Sequence, residues 1–205
     1  FEGRTEDGLF AVDWASTLPS RIVSAGGDDD DGGRGNGVGP GYIHLWDGDD
    51  LTAPLANVST PSLITSVAFS PDATRIVAGA VDGSITLYNA SNLAQLLTRP
   101  GMHLSCTSVV RTYGALNPNR TQYQPHPFDL CGVHSVAWSP DSSSIVSGGA
   151  GPNHRVRTYS ATDLTPHLSC GNTHTSSGTV RYPQCLDEST WDCPGDDDAP
   201  CTGFE

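Results

Sequence analysis

Three short runs of alternating apolar and polar residues lie between Ile64 and Leu93, separated by two tight turns. In the first run Val67 and Phe69 alternate with small or polar residues, and this period of two predicts a strand whose faces differ in burial. Pro71-Asp72 favours a turn, because Pro presets φ and Asp bonds nearby backbone. Asp82-Gly83 predicts a hairpin turn between the second and third runs. The stretch therefore predicts a small antiparallel β-unit.

The same order of runs occurs twice more along the chain. The upstream copy occupies residues 9–14, 21–27 and 42–47, and the downstream copy occupies 133–141, 144–149 and 155–159. Each copy has a first run ending in an aromatic residue, a β-branched second run and a third run that closes on an aromatic residue. Such internal repetition predicts a repeat architecture.

The closing residues of the three copies resemble the WD40 family. Trp46-Asp47 matches the Trp-Asp pair that closes a WD40 repeat, with Tyr88-Asn89 and Tyr159-Ser160 as weakened versions. The Ser-Pro-Asp turns that begin at Ser70 and Ser139 are similar to the first turn of the family. The resemblance covers roughly residues 7 to 97 and 132 to 166.

This resemblance implies an all-β fold, a WD40-type β-propeller that is partial or is completed by other chain or subunits. Residues 1–166 are expected to form the blades, with an insertion at 98–131, and residues 167–205 a disulfide-stapled irregular tail. The resemblance assigns structural roles within the blades to eight residues: Trp14, Trp46, Asp47, Phe69, Asp82, Tyr88, Trp138 and Tyr159. No Gly-His pair stands at the usual distance before a first strand, so we expect the family's His, Ser/Thr, Asp and Trp network to be incomplete.

The net charge of −13 narrows the possible partners. Nucleic acid requires a basic stripe that this chain lacks. The same charge disfavours an anionic membrane surface, and no apolar run is long enough for a transmembrane helix. We therefore expect neither a nucleic-acid partner nor membrane insertion.

Cysteines and sequons indicate the compartment. Four of the six cysteines, Cys170, Cys185, Cys193 and Cys201, fall in the apolar-poor tail, which needs covalent staples or a partner to become ordered. Their three possible pairings cannot be separated by sequence. Cys106 and Cys131 bracket the insertion, and a disulfide between them would stabilise the fold by about 3 kcal/mol on the chain-entropy model. Reduced thiols are the alternative.

Asn57, Asn89 and Asn119 each begin a glycosylation sequon. Asn89 follows a closing aromatic residue, so it has an alternative role as the analogue of the Asp in Trp-Asp. Together with the cysteines, the sequons predict an extracellular or luminal, secreted protein, with a cytoplasmic one as the alternative. Since residue 1 is Phe, the sequence is expected to be a processed mature protein or part of a longer one.

Clustered acidic residues at 28–31 and 196–198 provide the oxygen ligands that calcium prefers. Their spacing matches neither an EF-hand loop nor a nonapeptide calcium repeat, so a solvated loop is the alternative. We expect no cofactor. The seven His residues show no paired helical spacing, and no Gly-x-Ser-x-Gly elbow is present, so no catalytic or metal-binding residue is assigned.

Three hypotheses follow. The preferred one is a non-enzymatic protein-interaction or structural module, secreted and glycosylated, that binds other proteins and copies of itself within an extracellular assembly or filament. Three blades cannot close a propeller, which typically takes at least four. The second hypothesis is an intracellular WD40 scaffold. The third is a calcium-dependent binding domain or an enzyme.

Overall fold

The computed structural model of the chain describes residues 8–15, 17, 19–27, 39–101, 103, 132–149 and 156–167, and the backbone of 168–174 and 180–186. Within these residues every regular element is a strand. The thirteen strands are β1 (Gly8–Trp14), β2 (Arg21–Gly27), β3 (Gly41–Asp47), β4 (Ala56–Thr60), β5 (Ile64–Phe69), β6 (Arg75–Ala80), β7 (Ile85–Asn89), β8 (Gln95–Arg99), β9 (Val133–Trp138), β10 (Ser144–Gly149), β11 (Val156–Ser160), β12 (Pro166–His174) and β13 (Val180–Leu186).

These strands form three antiparallel sheets, which we call blades 1, 2 and 3. Blade 1 has the order β1-β2-β3-β4, blade 2 the order β5-β6-β7-β8, and blade 3 the order β9-β10-β11-β12-β13. Strands that are neighbours in sequence are neighbours in each sheet. The first strands β1, β5 and β9 pack side by side, so the blades fan out from a common inner edge.

The repeats superimpose residue by residue because their registers are interrupted at the same place. The pairing of the first with the second strand shifts between Leu9 and Ala11 in blade 1 and between Ile64 and Ser66 in blade 2. In blade 3 the pairing skips His134, which lies between the paired residues Val133 and Ser135. This shared irregularity aligns the inner strands position by position.

Two hydrophobic cores lie between the blades. One packs blade 1 against blade 2, and the other packs blade 2 against blade 3. Side chains that alternate along each strand point to opposite faces of its sheet, so a central blade contributes to both cores. Ile76 lies in the first core and Val77 in the second, and both are fully buried.

The fold class and the three repeats predicted from the sequence are confirmed, but the tail differs from the expectation. Residues 166–174 and 180–186 are strands that extend blade 3, so the irregular tail predicted from residue 167 is wrong for this part. The alternating pattern did not reveal β12, because a strand is formed by pairing with its neighbours as well as by its own composition.

Candidate interaction faces of the blades

Each blade has two faces, which we name by the direction in which they point. The near face of a blade points toward the preceding blade, and the far face points toward the following one. In blade 2 the near face carries Val67 and Phe69, packed against blade 1, and the far face carries Val77, Ile85 and Leu87, packed against blade 3. The seams between blades are therefore near-face to far-face contacts.

The near face of blade 1 has no neighbour within the described residues. Val12 and Trp14 occupy the positions of Val67 and Phe69, yet Val12 is 63% exposed and Trp14 58%, whereas Val67 is only 6% exposed. Leu9 is also exposed. An inner strand with this much contiguous apolar surface is typical of an interaction site.

An aromatic row on β3 continues this near face. The rings of Tyr42 and His44 stack with centroids 4.8 Å apart, and His44 meets Trp46 edge-on at 5.6 Å. Trp46 Nε1 donates to Ser24 Oγ at 2.8 Å, which fixes the indole. Partial burial lowers the pKa of His44, which favours the neutral imidazole. The row is consequently a half-buried aromatic surface.

Polar bonds fix the seam between blades 2 and 3. Trp138 Nε1 donates to the carbonyl of Ala68 at 3.0 Å, and the amide of Val136 donates to Ser66 Oγ at 3.1 Å. The seam between blades 1 and 2 has a different bond, from the amide of Phe69 to Asp13 Oδ2 at 2.7 Å.

Arginines at the blade edges make further contacts. Arg75 donates to the carbonyls of Ala161 at 2.5 Å and Ser142 at 3.1 Å, and Arg99 donates to the carbonyl of Leu164 at 3.0 Å. All these bonds join blade 2 to blade 3. The sequence analysis missed these residues, since an Arg at the start of a strand has no special pattern.

The expected gap in the family's polar network is partly filled by His103. Its Nε2 lies 2.7 Å from Ser147 Oγ, which in turn donates to the Tyr159 hydroxyl at 3.3 Å, and the Ser and Tyr come from adjacent strands of blade 3. The backbone of His103 packs on Gly83, where a Cβ would lie 2.1 Å from the His103 carbonyl oxygen. The sequence analysis gave His103 no role, since the insertion separates it from β9.

The Ser-Pro-Asp turns have the same geometry in both blades that contain them. Ser70 donates to Asp72 Oδ1, and Ser139 donates to Asp141 Oδ1, both at 2.6 Å. The Ser139 bond, with further donors from Ser143, lowers the pKa of Asp141 to about 2. The pKa of Asp72 is lowered chiefly by the Ser70 bond. These aspartates stabilise the turns, and Oδ1 of each carboxylate is already an acceptor within its turn.

Three of the blade residues predicted from sequence stabilise an ion pair, a turn or a core. Asp47 pairs with Arg21 at 3.3 Å, and Asp82 accepts the amide of Ser84 at 2.8 Å within the hairpin turn. Tyr88 is buried in the core between blades 1 and 2, and burial raises the pKa of its hydroxyl.

A shallow groove of about 230 Å³ lies beside the seam between blades 1 and 2. Arg21 and Asp72 lie in its wall together with Phe69 and Ala90, so it offers one charge of each sign around an apolar floor. Its lining contains neither His nor Cys, the usual general base and thiol nucleophile.

The candidate modification residues are placed unequally. Asn57 is exposed on the edge strand β4, whereas Asn89 Oδ1 accepts the amide and hydroxyl of Ser91 at 2.8 and 2.6 Å. The register of β12 with β13 sets the Cα of Cys170 opposite that of Cys185. Asn119, Cys106, Cys131, Cys193, Cys201 and the acidic clusters at 28–31 and 196–198 lie outside the described residues.

Among the residues that the structure describes, no group of three His, Cys, Asp or Glu side chains is placed to hold a metal ion. The described ranges also contain no helix long and apolar enough to cross a bilayer.

Radial four-stranded sheets with inner strands side by side define the β-propeller class of fold. A model of the family "WD domain, G-beta repeat" matches residues 54–89 and 117–160. These two segments therefore match the WD40 repeat model, which confirms the resemblance seen in the sequence. WD40 repeats build protein-interaction scaffolds, and the family is generally non-enzymatic.

No curated protein matches the chain. Among solved structures, the chain is similar to one described as "Crystal Structure of Mitotic Checkpoint Complex", with 19% identity and a TM-score of 0.47. That match covers 76% of this chain and 38% of the other, so this chain spans well under half the length of that protein.

Proposed function

We propose that this chain is a non-enzymatic interaction and structural module, and that it works as a secreted, glycosylated subunit of an extracellular assembly. The observation that carries the interaction role is the near face of blade 1. Val12 and Trp14 occupy positions that are covered in blades 2 and 3, but both are more than half exposed. Since burying such side chains is worth about 1.5–3 kcal/mol each, a partner that covers them gains substantial binding energy.

The extracellular part of the proposal is supported by the sequons and cysteines. Asn57 is exposed on an edge strand, where a glycan attached to its amide would both meet solvent and block pairing of β4 with another sheet. The Cα register of Cys170 and Cys185 brings two of the six cysteines together. Both features suit an oxidising compartment that also glycosylates proteins.

Oxidative footprinting of Trp14 tests the interaction role. The protein is labelled with hydroxyl radicals in native extracts or medium and again after purification, and Trp14 oxidation is quantified by mass spectrometry. Trp138, whose indole is fixed in an internal seam, is the internal reference. We expect Trp14 to be protected several-fold in the native sample relative to the purified chain. Equal oxidation in both samples would contradict an interaction role for this face.

Intact-mass spectra of the purified protein test the compartment. Spectra are recorded before and after treatment with a peptide N-glycosidase, and before and after reduction with alkylation of free thiols. A secreted glycoprotein loses the mass of its glycans in the first treatment and gains alkyl groups only after reduction. A bare chain with six alkylatable thiols would instead support the intracellular scaffold.

A further inference from the structure

We propose that the groove at the seam between blades 1 and 2 binds an arginine side chain that a partner protein presents. The seam between blades 2 and 3 shows how these blades hold such a side chain. There the Arg75 guanidinium carbon lies 5.0 Å from the centroid of the Trp138 ring. The guanidinium also donates to the carbonyls of Ala161 and Ser142, at 2.5 and 3.1 Å. An aromatic ring and two turn carbonyls of one blade thus form a guanidinium site for the blade before it.

Blade 2 presents the same three groups toward blade 1. Blades 2 and 3 share their register here, so the equivalents of the ring and the two turn residues are Phe69, Ala73 and Ala90. All three lie in the wall of the groove. Among the described residues, no hydrogen-bond donor reaches the carbonyl oxygen of Ala73 or Ala90. The groove is therefore the counterpart of the site that Arg75 fills in the next seam.

Arg21, the equivalent of Arg75 in blade 1, is held away from these carbonyls. Its Nη1 donates to Asp47 Oδ2 at 3.3 Å and to the carbonyl of Ser20 at 2.9 Å. Blade 2 has the neutral Asn89 where blade 1 has Asp47, and Asn89 Oδ1 accepts bonds within its own turn. A carboxylate thus retains Arg21 on blade 1, whereas Arg75 crosses to the next blade. The site on blade 2 is left for a guanidinium from elsewhere.

Charge and size also favour an arginine side chain. Because Asp47 neutralises Arg21, the Asp72 carboxylate gives the described lining a net negative charge. Hydrogen bonds within its turn, chiefly from Ser70, lower the pKa of Asp72 and keep it ionised at neutral pH. The volume of about 230 Å³ lies below the range of about 300–1,000 Å³ of small-molecule pockets, so it suits a single side chain. Arginine fits better than lysine, because a planar fork can donate to two carbonyls and stack on a ring.

The position of the groove separates it from the other features of the chain. Its wall on blade 2 consists of residues at the end of β5, before β6 and after β7. The described residues beside the insertion lie at the opposite end of β6, where Gly132 packs on Val81 and His103 on Gly83. The groove is also separate from the near face of blade 1, so a failure of arginine binding would leave the protection of Trp14 unaffected.

Amide NMR spectra of the full chain, titrated with the peptide acetyl-Gly-Arg-Gly-amide, test the site. We expect saturable shift changes that are largest at the amides of Ala73, Ala90 and Ser91. A peptide with citrulline in place of arginine keeps the shape but lacks the charge, and it should bind about tenfold more weakly. The lysine peptide should also bind more weakly, because an ammonium group lacks the planar fork. Absence of these shift changes, or equal binding of the citrulline peptide, overturns the proposal.

A matched pair of variants tests the charge of the groove. D72N keeps an acceptor oxygen for its turn but removes the carboxylate charge, and it should weaken binding of the arginine peptide by about two- to fivefold. D141N makes the same change in the equivalent turn of blade 3 and should leave binding unchanged. An effect of D141N as large as that of D72N overturns the assignment, since it would place the charge requirement outside the groove.

Two arginine variants test the equivalence of the seams, with circular dichroism melts to establish that both are folded. R75A removes the guanidinium from the seam between blades 2 and 3, so the arginine peptide should add a second set of shift changes at Ser142 and Ala161. A folded R75A without this second set overturns the proposal, because the two sites would not be equivalent. Binding by R21A but not by the unmodified chain also overturns it, since Arg21 itself would then occupy the groove.

Discussion

The Arg75 guanidinium carbon lies 5.0 Å from the centroid of the Trp138 ring, so a side chain at the start of β6 reaches over the first strand of the next blade. The same guanidinium donates to two carbonyls of blade 3, those of Ser142 and Ala161. Trp138 itself donates from Nε1 to the Ala68 carbonyl of blade 2. The two residues therefore fasten blades 2 and 3 in both directions across one seam.

R75A should lower the free energy of unfolding by about 2–3 kcal/mol, since it removes two charge-assisted hydrogen bonds and a cation–π contact. The repeat supplies a matched control in R21A, because Arg21 occupies the same position in blade 1 but forms a partly exposed ion pair with Asp47 at 3.3 Å. Such pairs contribute about 0–1 kcal/mol. Urea denaturation of both variants measures the difference. Equal losses would show that Arg75 does not join the blades.

S147A should lower the free energy of unfolding by about 1–3 kcal/mol, because it leaves His103 Nε2 without its bond to the Ser147 hydroxyl in a buried site. S24A is the matched control. Ser24 accepts a hydrogen bond from the Trp46 indole, which is partly exposed and can bond to water instead. A double-mutant cycle of S147A with H103A isolates the coupling. Additive losses in that cycle would exclude a direct interaction between the two side chains.

The strands at the centre of the fold could be predicted from sequence because the signal for each lies within a few residues. The runs beginning at Arg21 and Arg75 combine β-branched residues with a turn on either side, and such local agreement predicts a strand in any propeller blade. The Ser-Pro-Asp turns are local in the same sense, since each is closed by bonds within five residues. Local patterns therefore predicted the blades and their order.

The contacts between blades could not be predicted, because they depend on which residues meet across a long stretch of chain. Arg75 meets Ala161 across 86 residues and His103 meets Ser147 across 44. The exposure of Trp14 is a property of this kind as well. Trp14 occupies the same position in blade 1 as the buried Phe69 in blade 2. The two side chains differ in exposure because no preceding blade covers Trp14 within the described residues.

Acid should open the Ser-Pro-Asp turns in a defined pH window. The pKa of Asp141 falls from an ordinary value of 3.8 to about 2 in the folded chain, chiefly because Ser139 donates to its carboxylate. A depressed folded pKa gives stability that is present above the unfolded pKa and lost as the pH falls toward the folded one. The contribution of Asp141 should therefore disappear between about pH 4 and pH 2.

Carboxyl carbon chemical shifts followed by NMR titration measure this pKa directly. D141N keeps an acceptor oxygen for Ser139 but cannot titrate, so its unfolding free energy should depend less on pH within that window. D50N is a control for acidity without the Ser-Pro-Asp turn, since the bonds that lower the pKa of Asp50 come from the side chain and the amide of Thr52. An Asp141 pKa at or above 3.8 would contradict the turn geometry.

Cys170 and Cys185 should form a disulfide in the oxidised protein. The antiparallel register sets their Cα atoms directly opposite each other on β12 and β13. Opposed Cα atoms in such a ladder lie about 4.5–5.5 Å apart, within the range of about 4.4–6.8 Å that a disulfide spans. Bond formation removes two protons and two electrons, which a small-molecule disulfide such as glutathione disulfide accepts. The bond would fix β13, the last strand of blade 3, to its neighbour.

Peptide mapping without reduction, after thiol blocking at low pH, identifies the pairing. We expect one linked peptide containing Cys170 and Cys185, and a C170S/C185S variant should lose only that species. C193S/C201S is the control: those two cysteines lie outside the described residues, and their loss should leave the Cys170–Cys185 peptide in place. Cys170 linked to Cys193 or Cys201 would contradict the register of β12 with β13, and full alkylation of both thiols under native conditions would contradict the bond itself.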